Sequence, residues 1–278
     1  MGDIRIALSS INLAPHFPGA LYKRIQSLLK PGESIDDSLI YSIPDGVSRF
    51  RLMHLLETEP KPIAFIGIVV RPQPEVMAAF QAIRAPVILI DESAPGASTV
   101  SVDNTLGGYL AGAHLAKLGR RRMLVVEARV NADGDMCCIE RLAGFKKALA
   151  DHGLALAPDH VITCPDYSRR VGADAMEQVL KRFKGVDAIF CSAADQTAVG
   201  MLTTARERGV RIPEDIAIVG FDDLPFAATS NPPLTTVRQP LDAMAEAAYR
   251  MATVETRDVF QTPRIVKLRP ELVVRQSA

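Results

Sequence analysis

The stretch Ile212-Pro213-Glu214-Asp215-Ile216-Ala217-Ile218-Val219-Gly220-Phe221-Asp222-Asp223 decides how the chain is read, because an apolar run ends abruptly on two adjacent carboxylates. Pro213 closes whatever helix precedes it, Ile216 to Val219 reads as a short buried strand, and Gly220 lets the backbone turn before Asp222 and Asp223. A strand apolar on both faces belongs to a parallel sheet covered by helices. In open sheets of that kind ligands bind at the carboxyl ends of the strands, where these two acids stand.

The same rhythm extends outward in both directions. Ile4 to Leu8, Leu39 to Ile43, Ile63 to Val70, Val87 to Ile90, Met123 to Val126, Val161 to Cys164 and Ala188 to Cys191 are β-branched or uniformly apolar runs. Amphipathic segments alternate with them, near Leu21 to Leu29, Phe50 to Leu56, Leu106 to Leu118, Ile139 to Ala150, Gln196 to Arg208 and Leu241 to Val254. Alternation of this kind predicts a doubly wound α/β fold with right-handed crossovers. Some ten parallel strands would make one open sheet unusually wide, so two sheets in two lobes are expected. The extended runs Thr99 to Asn104 and Asn231 to Pro240 are where the chain is expected to pass between lobes and form a hinge. The expected division is residues 1–102 plus 240–262 for the first lobe and 103–239 plus 263–278 for the second.

Composition narrows the function classes. The 278 residues are 48% apolar and 23% charged, and Lys plus Arg equals Asp plus Glu at 32 each, so no global field draws this chain to nucleic acid or an anionic membrane. The run Arg120-Arg121-Arg122 reads as a solvated turn. Cys137, Cys138, Cys164 and Cys191 show no metal-site spacing and are expected to be free thiols. Neither an export-signal pattern nor an apolar stretch of about 18 residues is visible, which makes cytoplasmic residence the expectation. The five histidines form no H-E-x-x-H pattern, no G-x-S-x-G elbow or phosphate loop occurs, and Asp133-Gly134-Asp135 lacks the rest of a calcium loop. The expectation is a protein that is not an enzyme, with no metal and no cofactor.

Ligand binding has more support. Ser9 follows the first strand, Asp91 ends the Val87 to Ile90 strand, Asp195 follows the Ala188 to Ser192 strand, and Asp222 follows the Ile216 to Gly220 strand. Each of these short polar groups could simply cap the next helix, but recurrence in both halves matches what a hydroxyl-rich ligand needs for orientation. Arg141, at the start of a helix pattern, is the candidate for a fork of donors.

Six motifs in order resemble the effector-binding core of the LacI/GalR family of bacterial transcription regulators, over nearly the whole chain. They are Val102-Asp103-Asn104 with Gly107-Gly108 and His114-Leu115; Arg141-Leu142-Ala143-Gly144-Phe145; Ala188-Ile189-Phe190 with Asp195-Gln196; Ile212 to Asp223; Pro233 to Pro240; and Pro270 to Arg275. The resemblance implies two periplasmic-binding-protein-like lobes of type I with three crossovers and a small effector in the cleft. It implies that Asp91, Arg141 and Asp222 hold the effector's polar groups, that Tyr167 offers an aromatic face, and that Ser9 with the Pro15-His16-Phe17 loop lines the first lobe. Asp223 is expected to cap the turn that follows. A sugar-like ligand is favoured, and a nucleoside-like one stays open. The chain has Ala194-Asp195 where many members carry Asn-Asp, and Arg129 to Ile139 departs from the family pattern.

The resemblance also implies a homodimer that reaches operator DNA only through an N-terminal helix-turn-helix. No such segment precedes Ile4, so a trimmed form or a headless paralogue is expected. The alternative class is a periplasmic solute-binding protein of a sugar transporter.

Overall fold

Short apolar runs become strands and the amphipathic segments between them become covering helices. A computed structural model describes residues 4–10, 16–36, 63–72, 74–129, 136–253 and 262–278. In chain order the first elements are β1 (Ile4–Ser10), α1 (Phe17–Ser27), β2 (Glu33–Asp36), β3 (Ile63–Ile68), α2 (Pro74–Ala82), β4 (Val87–Ile90) and β5 (Ser98–Val102). Then come α3 (Asn104–Lys117), β6 (Met123–Ala128), α4 (Met136–Asp151), β7 (Val161–Cys164), α5 (Arg169–Arg182), β8 (Ala188–Cys191), α6 (Asp195–Glu207) and β9 (Ala217–Asp222). The last are α7 (Pro225–Ala228), β10 (Thr235–Arg238), α8 (Leu241–Thr253), β11 (Ile265–Leu268) and β12 (Glu271–Val273).

The chain divides into two compact units, Met1–Val102 with Pro240–Leu268, and Asp103–Gln239 with Arg269–Ala278. The first holds a six-stranded sheet in the order β2-β1-β3-β4-β5-β11, with all pairs parallel. The second repeats that order as β7-β6-β8-β9-β10-β12, and only β12 runs antiparallel, against β10. The final passage of the chain falls after Leu268 rather than after 262, because Ile265 to Leu268 pair in register with Thr99 to Val102 and belong to the first sheet. The candidate strand at 39–43 and the amphipathic segment at 50–56 lie outside the described residues. Helices α2 and α5 have no counterpart among the expected segments; α5 hides its buried positions Val171, Ala175, Met176 and Val179 among charged neighbours.

In the second unit the two faces of the sheet carry different cores. Leu124, Val126, Ala128, Ile189, Cys191 and Ile218 pack with α5 and α6 residues such as Met176, Val179 and Leu202. On the opposite face Phe190 stacks on Phe145 of α4 at 5.2 Å between centroids, and Phe221 follows at 6.5 Å from Phe190. Helices α3 and α4 touch backbone to backbone: a Cβ on Gly108 would lie 1.9 Å from the Arg141 carbonyl oxygen, and one on Gly144 would lie 1.8 Å from that of Thr105. Only glycine permits this approach. The carbonyl of Arg141 is thus fixed against α3, and its side chain starts from a rigid point.

Candidate functional site

Both units place short polar residues at the carboxyl ends of their parallel strands. In the first unit Ser9 is the last residue but one of β1, opposite Gly67 of β3, and Asp91 follows β4 with φ 54°, its amide donating to the Val100 carbonyl at 3.0 Å. His16 stands at the N-cap position of α1. Phe17, expected to line the ligand's side, opens α1 and is buried. The loop before His16 lies outside the described residues.

The second unit carries the denser arrangement. Arg141, on α4, is only 3% exposed, and its guanidinium centres 3.6 Å above the Phe221 ring. Its Nε donates to Asn104 Oδ1 at 2.8 Å, and its Nη1 donates to the Ser192 carbonyl at 2.9 Å and the Ala193 carbonyl at 3.4 Å. Three elements therefore aim one cation: the start of α3, the end of β8 and the aromatic face of β9. A planar guanidinium both stacks and forks, which an ammonium does not.

Asp222 ends β9 and is 4% exposed, with φ 118° in a region that side chains avoid. Its Oδ1 accepts from Gln239 Nε2 at 2.7 Å. Such strain persists only where surroundings over-determine it, and it concentrates at functional sites. The next residue, Asp223, departs from the expected capping role. Its carboxylate accepts from Arg238 Nε at 2.6 Å through Oδ2 and from Arg275 Nη2 at 2.6 Å through Oδ1, tying β9 to β10 and to the chain beyond β12. Arg238 continues to Glu271 at 2.6 Å.

Asp195 is fully buried and committed to the fold. Its Oδ1 accepts from the Thr236 hydroxyl at 2.5 Å and its Oδ2 from the Leu224 amide at 3.0 Å. Burial, reinforced by the negative charge of Asp222, pushes its carboxyl well above the usual carboxylate range. Tyr167 is half-buried against the α5 and α6 side of the core, and its carbonyl accepts from Thr197 Oγ1 at 2.8 Å.

The structure thus sets Arg141 on the Phe221 ring with Asp222 the next residue along β9, while Tyr167 packs against the α5 and α6 core on the other face of the sheet. Asn104 and Gln239, which orient those two charged groups, were not expected to do so, although both lie inside motifs that carry the family resemblance. The arginine run at 120–122 is only partly solvated. Arg120 Nη2 donates to the Pro213 carbonyl at 2.6 Å, and the amides of Arg121 and Arg122 donate to Asp187 at 2.9 and 3.0 Å. The four cysteines are free thiols, three of them buried. Among the described residues no group of three or more His, Cys, Asp or Glu could hold a metal ion, and no helix is long and apolar enough to cross a membrane.

This repeated sheet order with polar strand ends defines a class, and residues 112–278 match the profile described as periplasmic binding protein-like domain. Among curated relatives, the HTH-type transcriptional repressor PurR of Escherichia fergusonii is 32% identical over 195 residues, covering 69% of this chain and 56% of that protein. The PurR of Salmonella arizonae matches to the same extent. The chain spans about half the length of these relatives. Among solved structures, a transcriptional regulator CelR–cellobiose complex superposes with a TM-score of 0.84 at 25% identity, over 99% of this chain and 84% of that one. A LacI family regulator from Lactobacillus casei with bound sucrose gives 0.78 at 26% identity over 100% of both chains. The chain belongs to the periplasmic-binding-protein-like family and, within it, to the effector-binding cores of the LacI/GalR regulators.

Proposed function

We propose that this chain is the effector-sensing and dimerisation core of a DNA-binding transcription regulator of the cytoplasm, and that Asp222 and Arg141 hold the polar groups of a sugar-like or nucleoside-like ligand. The observation that carries the reading is Asp222, a buried carboxylate in strained backbone at a strand's carboxyl end, one residue from the ring that supports Arg141. A carboxylate accepts from neighbouring hydroxyls, and a fixed guanidinium donates to them. Ser9, His16 and Asp91 are the corresponding candidates of the first unit. The sugars bound by the CelR and Lactobacillus casei relatives favour a carbohydrate. Operator DNA is contacted through a helix-turn-helix outside these 278 residues, as the naming of the PurR relatives favours.

The test is calorimetric titration with cellobiose, sucrose, ribose and adenosine. One of these probes binds the wild-type chain, and Asp222→Asn weakens it at least about tenfold, as loss of a charge-assisted hydrogen bond requires. Binding by none of the four, or unchanged binding by the variant, counts against the reading. Sedimentation of the wild type checks the dimer.

A further inference from the structure

A third charged group stands on the same sheet edge and has no role in the reading above. Glu127, on β6, is only 4% exposed. Val126 is opposite Cys191 in the parallel register of β6 and β8, so Glu127 stands at the level of Ser192, whose carbonyl accepts from Arg141. Val125 is opposite Phe190, and two residues on, Glu127 shares that residue's face of the sheet. Phe190 stacks on Phe145 of α4, the helix that carries Arg141. Adjacent strands lie about 4.8 Å apart. Negative Glu127, positive Arg141 and negative Asp222 therefore occupy one edge, at the level where β6, β8 and β9 end.

Glu127 is also poorly compensated for a buried charge. Its Oε1 accepts from the Thr163 hydroxyl at 3.0 Å, and among the described residues its cation is Arg129, whose Nη2 stands 3.4 Å from the same oxygen. The Arg129 side chain is 54% exposed, so this pair reaches from solvent to a buried oxygen at a long distance. A carboxylate offers about four acceptor positions, and burying one without close pairing is costly. A charged donor satisfies such a group about twice as well as a hydroxyl.

We propose that Glu127 is a specificity-determining residue of this site and selects a ligand bearing a protonated amine, an amino sugar or similar aminated polyol, whose ammonium takes the place of Arg129. This rests on the assignment of Asp222 and Arg141 to ligand binding and adds the chemical class of the ligand. The neutral end of the polyol meets Arg141 and Asp222, and the amine meets Glu127.

Calorimetric titration of the intact chain with D-glucosamine, N-acetyl-D-glucosamine and D-glucose, at mildly acidic pH where the free amine is protonated, tests this. Glucosamine binds about tenfold or more tightly than the two uncharged sugars, Glu127→Gln abolishes that preference, and Arg129→Ala widens it. A purely structural Glu127–Arg129 contact predicts that both variants weaken all three sugars alike, and that result overturns the proposal. Equal affinity of the wild type for glucosamine and glucose overturns it too. If cellobiose, sucrose, ribose or adenosine binds and glucosamine does not, the proposal falls while the functional reading stands; if no probe binds, both fall.

Discussion

Gln239 holds Asp222 twice: its side-chain Nε2 donates to the Asp222 carboxylate at 2.7 Å, and its backbone amide donates to the Asp222 carbonyl at 3.4 Å. Gln239 is buried, and its Oε1 has no partner among the described residues. It is the last residue of the second unit before the chain passes to the first. Replacing Gln239 with Leu removes the donor and leaves Asp222 less well oriented. Ligand affinity is expected to fall about tenfold, with a stability loss of about 1–3 kcal/mol, read by calorimetry and denaturant unfolding.

Arg141 serves the fold as well as the ligand. Arg141→Ala leaves Asn104 Oδ1 and the Ser192 carbonyl without their buried donor and removes the stack on Phe221. It should cost about 3 kcal/mol or more in stability in addition to affinity. Arg141→Lys keeps the charge but loses the fork, so it separates the two effects: a folded protein with ligand affinity down about tenfold or more. A lysine variant that binds as the wild type does contradicts a ligand role for the fork.

The glycine crossing of α3 and α4 makes a sharp stability prediction. Gly144→Ala puts a methyl into the Thr105 carbonyl, and Gly108→Ala puts one into the carbonyl of Arg141, so the helices must separate. Each is expected to cost about 1–3 kcal/mol or more by overpacking. An added methyl at Gly119, where nothing lies within 4 Å, meets no steric obstacle, although its φ of 80° still disfavours alanine. Urea unfolding of the three variants checks the order.

Asp195 makes stability depend on pH. Burial and the charge of Asp222 raise its folded carboxyl well above the ordinary 3.8, so the folded chain binds the proton more tightly than the unfolded chain. The stabilisation is complete below 3.8 and is lost as pH rises through the raised folded value. Asp195→Asn can still accept from Leu224 and donate to the Thr236 oxygen, so its melting temperature should gain on that of the wild type as pH rises from acid to neutral. Parallel pH curves would exclude a raised carboxyl. Asp195→Ala, which orphans both donors, destabilises at every pH.

Thiol chemistry separates the cysteines. Burial pushes the Cys164 thiol up to about 11 and raises Cys191 further, whereas Cys137 is half-buried. Iodoacetamide should label Cys137 alone in the native protein and all four after unfolding, as read by peptide mass. Native labelling of Cys191, which lies in the core beneath α5 and α6, would mean that this core opens.

Much of this protein is legible in the order of its residues. The Ile216 to Val219 run, the helix closed at Gly119 and the Ala188 to Cys191 run each state their structure locally, because periodicity and capping act within a few residues. The parallel α/β class follows from their alternation. Strand order, register and which acid does which work do not, because they depend on partners far away in the chain. Asp222 and Asp223 are neighbours of identical chemistry, yet one is gripped by Gln239 in strained backbone and the other by Arg238 and Arg275. Asp195, equally polar in sequence, is closed off by Thr236 and Leu224. The last chain passage falls after Leu268 because β11 finds its hydrogen-bond partner in β5, 166 residues earlier in the chain. Sequence alone determined that carboxylates would stand at strand ends; only the long-range pairing of strands decided which partners hold each of them, and the backbone contact of α3 with α4 fixed the point from which Arg141 reaches Phe221.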